Sequence, residues 1–124
     1  MFRNTKFLLF FLLFLICLSS FSSYSTVFSV SSSVYIVPAK GEIDPGWQHF
    51  LERSLEEAAE ADAAAVVLEL NTPGGFIDTA QSAGELLRDF SSPIYAYVKP
   101  HALSAGAYLA LCTDGIYMAP GATI

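Results

Sequence analysis

The sequence predicts an α/β fold of parallel strands joined by crossover helices, and three observations carry that expectation. Apolar runs rich in β-branched and aromatic residues recur at Val34-Tyr35-Ile36-Val37, Ala64-Ala65-Val66-Val67-Leu68-Glu69-Leu70 and Ile94-Tyr95-Ala96-Tyr97-Val98, without the polar alternation of a half-exposed strand. Between the runs lie segments whose apolar residues recur at three- and four-residue spacing, the period of a helix face. From Val34 onward the resulting order is β-α-β-α-β-α-β. Such alternation with short loops calls for parallel pairing and right-handed crossovers.

Not all of the 124 residues build that fold. Arg3 and Lys6 form a basic start, the twelve residues Phe7 to Leu18 form an apolar run, and Ser19 to Thr26 supply small polar residues for cleavage. That pattern is a signal peptide over residues 1–25, with Ser23 and Ser25 at the cleavage positions. The run is shorter than the roughly 20 residues that cross a bilayer comfortably, which favours cleavage over a retained anchor. Cys17 does not read as a lipid-attachment site, because Ile16 stands where a small residue is wanted. An exported protein, membrane-associated or extracytoplasmic, is expected. Residues 26–33 read as a serine-rich linker and residues 34–124 as the folded domain.

The net charge is −6, and losing Arg3 and Lys6 leaves Lys40, Arg53, Arg88 and Lys99 against all the acids. This balance argues against nucleic acid and an anionic membrane surface as partners. Cys112 is then the one remaining cysteine, so no intrachain disulfide forms, and its position after Leu109-Ala110-Leu111 suggests an inert buried thiol. No metal and no cofactor is expected.

Taken in order, Val34 to Val37 reads as a strand covered on both faces and ended by Pro38. Gly41-Glu42-Ile43-Asp44-Pro45-Gly46 follows as a loop closing on a helix, with Asp44 at the N-cap and Pro45 at the first helical position. In that helix Trp47, Phe50, Leu51, Leu55, Ala58 and Ala59 make the buried face. Glu52, Arg53, Glu56, Glu57 and Glu60 make a solvated one, with His49 among them. The second strand feeds Asn71-Thr72-Pro73-Gly74-Gly75. Asp78 is placed to cap the next helix, whose Ala80, Ala83, Gly84 and Leu87 form a small-residue face suited to a neighbouring strand. Ser91-Ser92-Pro93 ends it. The third strand leads through Lys99-Pro100-His101 to Ala102-Leu103-Ser104-Ala105-Gly106-Ala107-Tyr108, then to a helix reaching about Cys112 and a short strand at Gly115-Ile116-Tyr117-Met118.

Sites in parallel α/β architectures collect at the carboxyl ends of strands, and two loops hold that position here. One carries Gly74 and Gly75, the other Ser104. A serine hydroxyl attacks only with a base to take its proton and N–H donors to hold the oxyanion that forms. Consecutive glycines admit a ligand close to the backbone, so the N–H groups of Gly74 and Gly75, with that of Ala105 beside the serine, make a candidate oxyanion hole. Small Ala105 and Gly106 leave room for substrate. Taken singly, Ser104 reads as a helix cap and Pro73-Gly74-Gly75 as a tight turn; their pairing on successive strands favours a site.

The residues from Val34 to Ile124 resemble the start of the ClpP-class, crotonase-like proteases, and specifically the membrane-associated NfeD-type proteins. Four motifs carry the resemblance in order: Lys40-Gly41-Glu42-Ile43-Asp44-Pro45-Gly46, Leu70-Asn71-Thr72-Pro73-Gly74-Gly75, Ser104-Ala105-Gly106-Ala107 and Met118-Ala119-Pro120-Gly121-Ala122-Thr123-Ile124. The resemblance implies a partial, truncated ClpP/crotonase-like spiral of β-β-α-type turns. It implies Ser104 as nucleophile of a Ser-Lys dyad, with Gly74, Gly75 and Ala105 as oxyanion donors. It also implies a serine endopeptidase acting on apolar segments of a peptide or protein substrate, homo-oligomerisation, and a stomatin-like membrane protein as partner.

In that family the base lysine lies beyond the final motif, outside this chain. Lys99 and His101 share one sharp turn with Ser104 and make poor substitutes, and the resemblance gives Lys40 no catalytic role. The expectation is therefore a truncated product holding the nucleophile and oxyanion half, marginally stable and inactive alone, its last strand an open apolar edge. Two alternatives stand. A crotonase-like acyl-coenzyme A enzyme would use similar N–H groups, but export and the serine both oppose it. A catalytically inactive peptide-binding module would hold extended peptide on an exposed strand.

Overall fold

The computed structural model describes residues 33–124; the expected signal peptide, and the expected linker as far as residue 32, lie outside the described residues. Within them the elements follow the expected order: β1 (Val34–Lys40), α1 (Pro45–Glu60), β2 (Ala65–Thr72), α2 (Ile77–Asp89), β3 (Ile94–Ala102), α3 (Ala105–Leu111) and β4 (Gly115–Met118). The strands form one sheet in the order β1-β2-β3-β4, and every pairing is parallel. The expected α/β architecture is what the chain adopts.

Strand burial departs from expectation in one respect. On β2, Val66, Leu68, Leu70 and Thr72 are buried, whereas Ala65, Val67, Glu69 and Asn71 are half-exposed. The same alternation runs along β1, where Val37 and Ala39 are buried but Val34 and Ile36 are 56% and 63% exposed. The reason is topological: strands added one after another in a single direction, through crossovers of one hand, place every helix on the same face. The other face carries Val34, Ile36, Val67, Tyr95 and Tyr117, the last two rings meeting edge-on with centroids 5.9 Å apart.

Pro38 does not end β1, which continues to Lys40 with Pro38 opposite Glu69. An edge strand tolerates a proline because the missing N–H need not face a partner. Helix α1 begins as expected: Asp44 Oδ1 accepts the Trp47 N–H at 2.7 Å, and Pro45 fills the first position. Its buried face is Trp47, Leu51, Ser54, Leu55 and Ala58; Phe50 is half-buried and Ala59 exposed. Ser54 enters that face by donating its hydroxyl to Phe50 O at 2.8 Å, which meets the cost of burying it. The Tyr35 hydroxyl donates to Glu57 Oε2 at 2.7 Å, tying β1 to α1 and, with burial and the carboxylate charge adding, raising the phenol above its ordinary pKa.

Two expectations for α2 are corrected. The helix starts at Ile77, so Phe76, without a side-chain cap bond, occupies the N-cap and Asp78 lies inside the first turn. The backbone sets this start: Phe76 N–H donates to Ile43 O at 2.8 Å, and Ile43 N–H donates to Gly74 O at 2.9 Å, fixing the chain before Asp78 is reached. In the first turn Asp78 still faces the positive end of the helix dipole. The small-residue face of α2 meets α3 as well as the sheet: a Cβ at Gly84 would lie 2.9 Å from both Cys112 Sγ and Tyr108 Cε1.

The core between sheet and helices includes Ile43, Leu51, Leu68, Leu70, Ile94, Val98 and Leu109, all fully buried. Each such side chain contributes about 1.5–3 kcal/mol relative to exposure. At the far side, β4 leaves Ile116, Tyr117 and Met118 exposed among the described residues. No helix among the described residues is long and apolar enough to cross a membrane.

Candidate active site

The site is built where β2 and β3 end side by side. Leu70 pairs with Val98 but Thr72 pairs with Ala102, so the register shifts and β3 takes two extra residues before meeting β2 again. Thr72 then accepts the Leu103 N–H through its carbonyl at 3.1 Å. The neighbouring residue Ala102 donates its N–H to Thr123 O at 2.9 Å. The serine turn is thus held from both sides.

Both glycines after β2 are required by close approach, each against a different neighbour. Gly74 has φ +107°, and a Cβ there would lie 3.0 Å from both Leu103 O and Ser104 Cβ, with Ala105 N at 3.4 Å. Gly75 pairs with Ile43 in a parallel bridge so close that a Cβ would strike the Ile43 backbone. The first glycine therefore lets the loop touch the serine turn, and the second docks that loop on the segment before α1.

Ser104 has φ +54° and ψ −116°, a conformation that L-residues with side chains adopt only under strain of about 1–3 kcal/mol. It occupies the N-cap position of α3, but its hydroxyl makes no cap bond. No group among the described residues hydrogen-bonds it. The backbone makes the turn instead, with Gly106 N–H donating to Leu103 O at 2.8 Å and Tyr108 N–H to Ser104 O at 3.2 Å. A strained strand-to-helix turn presenting an idle, exposed hydroxyl is the device by which hydrolase nucleophiles are displayed.

Of the three N–H groups expected to face an oxyanion, those of Gly75 and Ala105 donate to no acceptor among the described residues. That of Gly74 is engaged, donating to Thr72 Oγ1 at 3.0 Å. Beside the serine a cavity of about 250 Å³ is lined by Ile77, Ala80, Gln81, Ser104, Ala105 and Tyr108. Tyr108 is steadied by Arg88, whose Nη1 donates to the tyrosine hydroxyl at 3.3 Å and to Cys112 Sγ at 3.0 Å. Cys112 is consequently half-buried against a cation, a wetter setting than the buried thiol the sequence suggested.

The structure brings Gly74, Ser104 and Ala105 together and keeps the basic candidates unbonded to the hydroxyl. Lys40 Nζ lies 3.5 Å from Glu69 Oε1, and both residues sit on the sheet face opposite the helices. Lys99 is exposed and His101 half-buried, and neither bonds Ser104. The exposed carboxylates of α1 stay on a solvated face; Glu52 and Glu56, with Asp89 of α2, rim a groove of about 310 Å³ that holds no nucleophile.

Sequence reasoning passed over Thr72, Ile77, Gln81 and Tyr108. Thr72 had a signal, since period two along Val66, Leu68 and Leu70 puts it on the buried face. Ile77, Ala80 and Gln81 also share one helical side at three- and four-residue spacing.

The family model described as NfeD1b, N-terminal domain, matches residues 33–124. The membrane protein NfeD1b of Bacillus subtilis is 45% identical over 89 residues, which cover 72% of this chain and 20% of the relative. The membrane-bound protease PH1510 of Pyrococcus horikoshii is 35% identical over 94 residues, covering 73% of this chain and 21% of the relative. This chain thus spans about a fifth of the length of those curated relatives.

Among solved structures, a lysine-to-alanine variant of the 1510-N membrane-bound stomatin-specific protease, in complex with a substrate peptide, matches with TM-score 0.72 at 34% identity. The match covers 76% of this chain and 44% of that one. The 1510-N membrane protease specific for a stomatin homolog from Pyrococcus horikoshii matches with TM-score 0.69 at 35% identity, over 74% of this chain and 47% of that one. The four parallel strands and three helices correspond to part of a ClpP-like fold. On the match across 33–124, the chain belongs to the NfeD1b N-terminal domain family.

Proposed function

We propose that this chain carries the nucleophile and oxyanion half of a membrane-associated serine endopeptidase of the NfeD type. One observation carries the reading: the glycine loop after β2 lies in contact with a strained serine turn after β3 whose hydroxyl has no structural employment. Ser104 Oγ attacks the carbonyl carbon of a peptide bond and gives up its proton to a base. The tetrahedral oxyanion is held by the N–H groups of Gly75 and Ala105, while the Gly74 N–H stays on Thr72 Oγ1. The proton passes to the leaving amine, and water then hydrolyses the acyl-enzyme. An apolar substrate side chain fits the cavity formed by Ile77, Ala80, Ala105 and Tyr108.

The base comes from outside residues 33–124, where the resemblance implies a lysine; that a related protease was solved as a lysine-to-alanine and a serine-to-alanine variant supports this pairing. The relatives' membrane character supports export under a signal peptide over 1–25, followed by the linker over 26–33 and the domain from 34. The specificity of a relative for a stomatin homolog supports a stomatin-like partner.

The protein expressed from its complete reading frame is expected to react with a fluorophosphonate at Ser104, located by peptide mass spectrometry, and Ser104→Ala is expected to abolish the adduct. Residues 26–124 alone are expected to cleave no peptide above background. The edge position of β1, with Val34 and Ile36 exposed, favours a second reading, a peptide-binding module without hydrolysis. Clean peptide binding with no adduct in the complete protein would establish that reading in place of the protease.

A further inference from the structure

Thr72 is the fully buried polar side chain at the junction of the two loops, and each part of it is used differently. Its Oγ1 accepts the Gly74 N–H at 3.0 Å. Its carbonyl accepts the Leu103 N–H at 3.1 Å, one residue before Ser104. Its methyl group lies directly over Gly106, so that a Cβ on that glycine would collide with Thr72 Cγ2. One residue therefore grips the glycine loop, the serine turn and the first turn of α3.

We propose that Thr72 is the positioning residue of the Ser104 centre, its hydroxyl holding the Gly74 N–H and so fixing the glycine loop against the serine turn. The proposal rests on the protease reading above for its consequence in reactivity. It rests on the geometry alone for its consequence in the loop. Without the hydroxyl, the Gly74 N–H loses its acceptor in a buried place, and the loop must shift to satisfy it. A displacement of about 1 Å in such a centre costs up to about 100-fold in rate.

The test uses the complete protein with Thr72→Val, which keeps shape and methyl contacts but not the hydroxyl, and Thr72→Ser, which keeps the hydroxyl. Thr72→Ala replaces the valine variant should that one fail to fold. Two measurements are made: fluorophosphonate labelling resolved into kinact and KI, and hydrogen–deuterium exchange of the peptide spanning Gly74 and Gly75. Thr72→Val is expected to lower kinact by about 10- to 100-fold with KI little changed, and Thr72→Ser to restore most of it. Exchange at Gly74 should quicken in the valine variant and not in the serine variant. Wild-type labelling by Thr72→Val, or an equal fall in both variants, overturns the proposal. Should the wild-type protein take no label at all, the protease reading fails, and exchange alone decides the positioning role: quickened in Thr72→Val only, it stands, and unchanged, it falls.

Discussion

Helices α1 and α3 begin on one plan and put it to opposite uses. Each has an oxygen-bearing side chain at its N-cap, Asp44 or Ser104, and a glycine at its second position, Gly46 or Gly106. Asp44 sits in extended backbone, φ −120° and ψ 175°, and its carboxylate takes the Trp47 N–H. Ser104 sits at φ +54°, and its hydroxyl takes nothing. Gly46 is exposed, while Gly106 is buried under the Thr72 methyl. A capping side chain that completes its own helix is occupied. One held in a strained turn by its neighbours' hydrogen bonds is free to react.

The glycine pair gives the sharpest way to break this comparison. Gly106→Ala drives a methyl into Thr72 in a buried site and is expected to cost about 1–3 kcal/mol, the range for overpacking a core. In Gly46→Ala the new Cβ meets only Asp44 Oδ1, at 3.3 Å, and alanine's helix preference of about 0.8–1 kcal/mol offsets that contact. Urea unfolding should show a clear loss for the first and a change within about 0.5 kcal/mol for the second. Equal losses would mean that the start of α3 is no tighter than that of α1.

The caps give the next contrast. Asp44→Ala removes an acceptor in use and is expected to cost about 1 kcal/mol. Ser104→Ala removes an oxygen that bonds nothing and should stay within about 0.5 kcal/mol of wild type while eliminating the fluorophosphonate adduct. A loss at Ser104 as large as that at Asp44, read from the same unfolding midpoints, would make the serine a structural cap after all.

How far the sequence reveals this centre depends on the range of the cause. The element order was legible because helix and strand periods are local, and so was the Asp44 cap, where acid, proline and apolar spacing fall within a few residues. The open sheet face was not legible in Val34 or Ile36, because which face is covered depends on all the crossovers together. Pro38 read as a terminator because its tolerance depends on β1 lying at the sheet edge. Asp78 was misplaced by two positions because a long-range bridge from Gly75 to Ile43, not the local capping pattern, starts α2. Ser104 and the two glycines were recognisable as motifs. The engagement of the Gly74 N–H by Thr72 was not, since it takes the fold to show which N–H groups remain free.

The smallest effect is the most diagnostic. If the Ser104 turn stores strain, Ser104→Gly should release it, because glycine occupies φ +54° without a Cβ clash. Against about 1–3 kcal/mol of strain stands the greater chain entropy that glycine gives the unfolded state, about 0.5–1 kcal/mol. A net gain of about 0.5 kcal/mol is expected, in a protein that can no longer form the adduct. The same substitution at the other cap, Asp44→Gly, relieves no strain and loses a bond in use, so it should fall by a few tenths of a kcal/mol. Opposite signs for one substitution at two caps cannot come from glycine's general effect on the chain. If both variants lose stability, Ser104 is not strained, and its display would have to be attributed to hydrogen bonds of the turn alone.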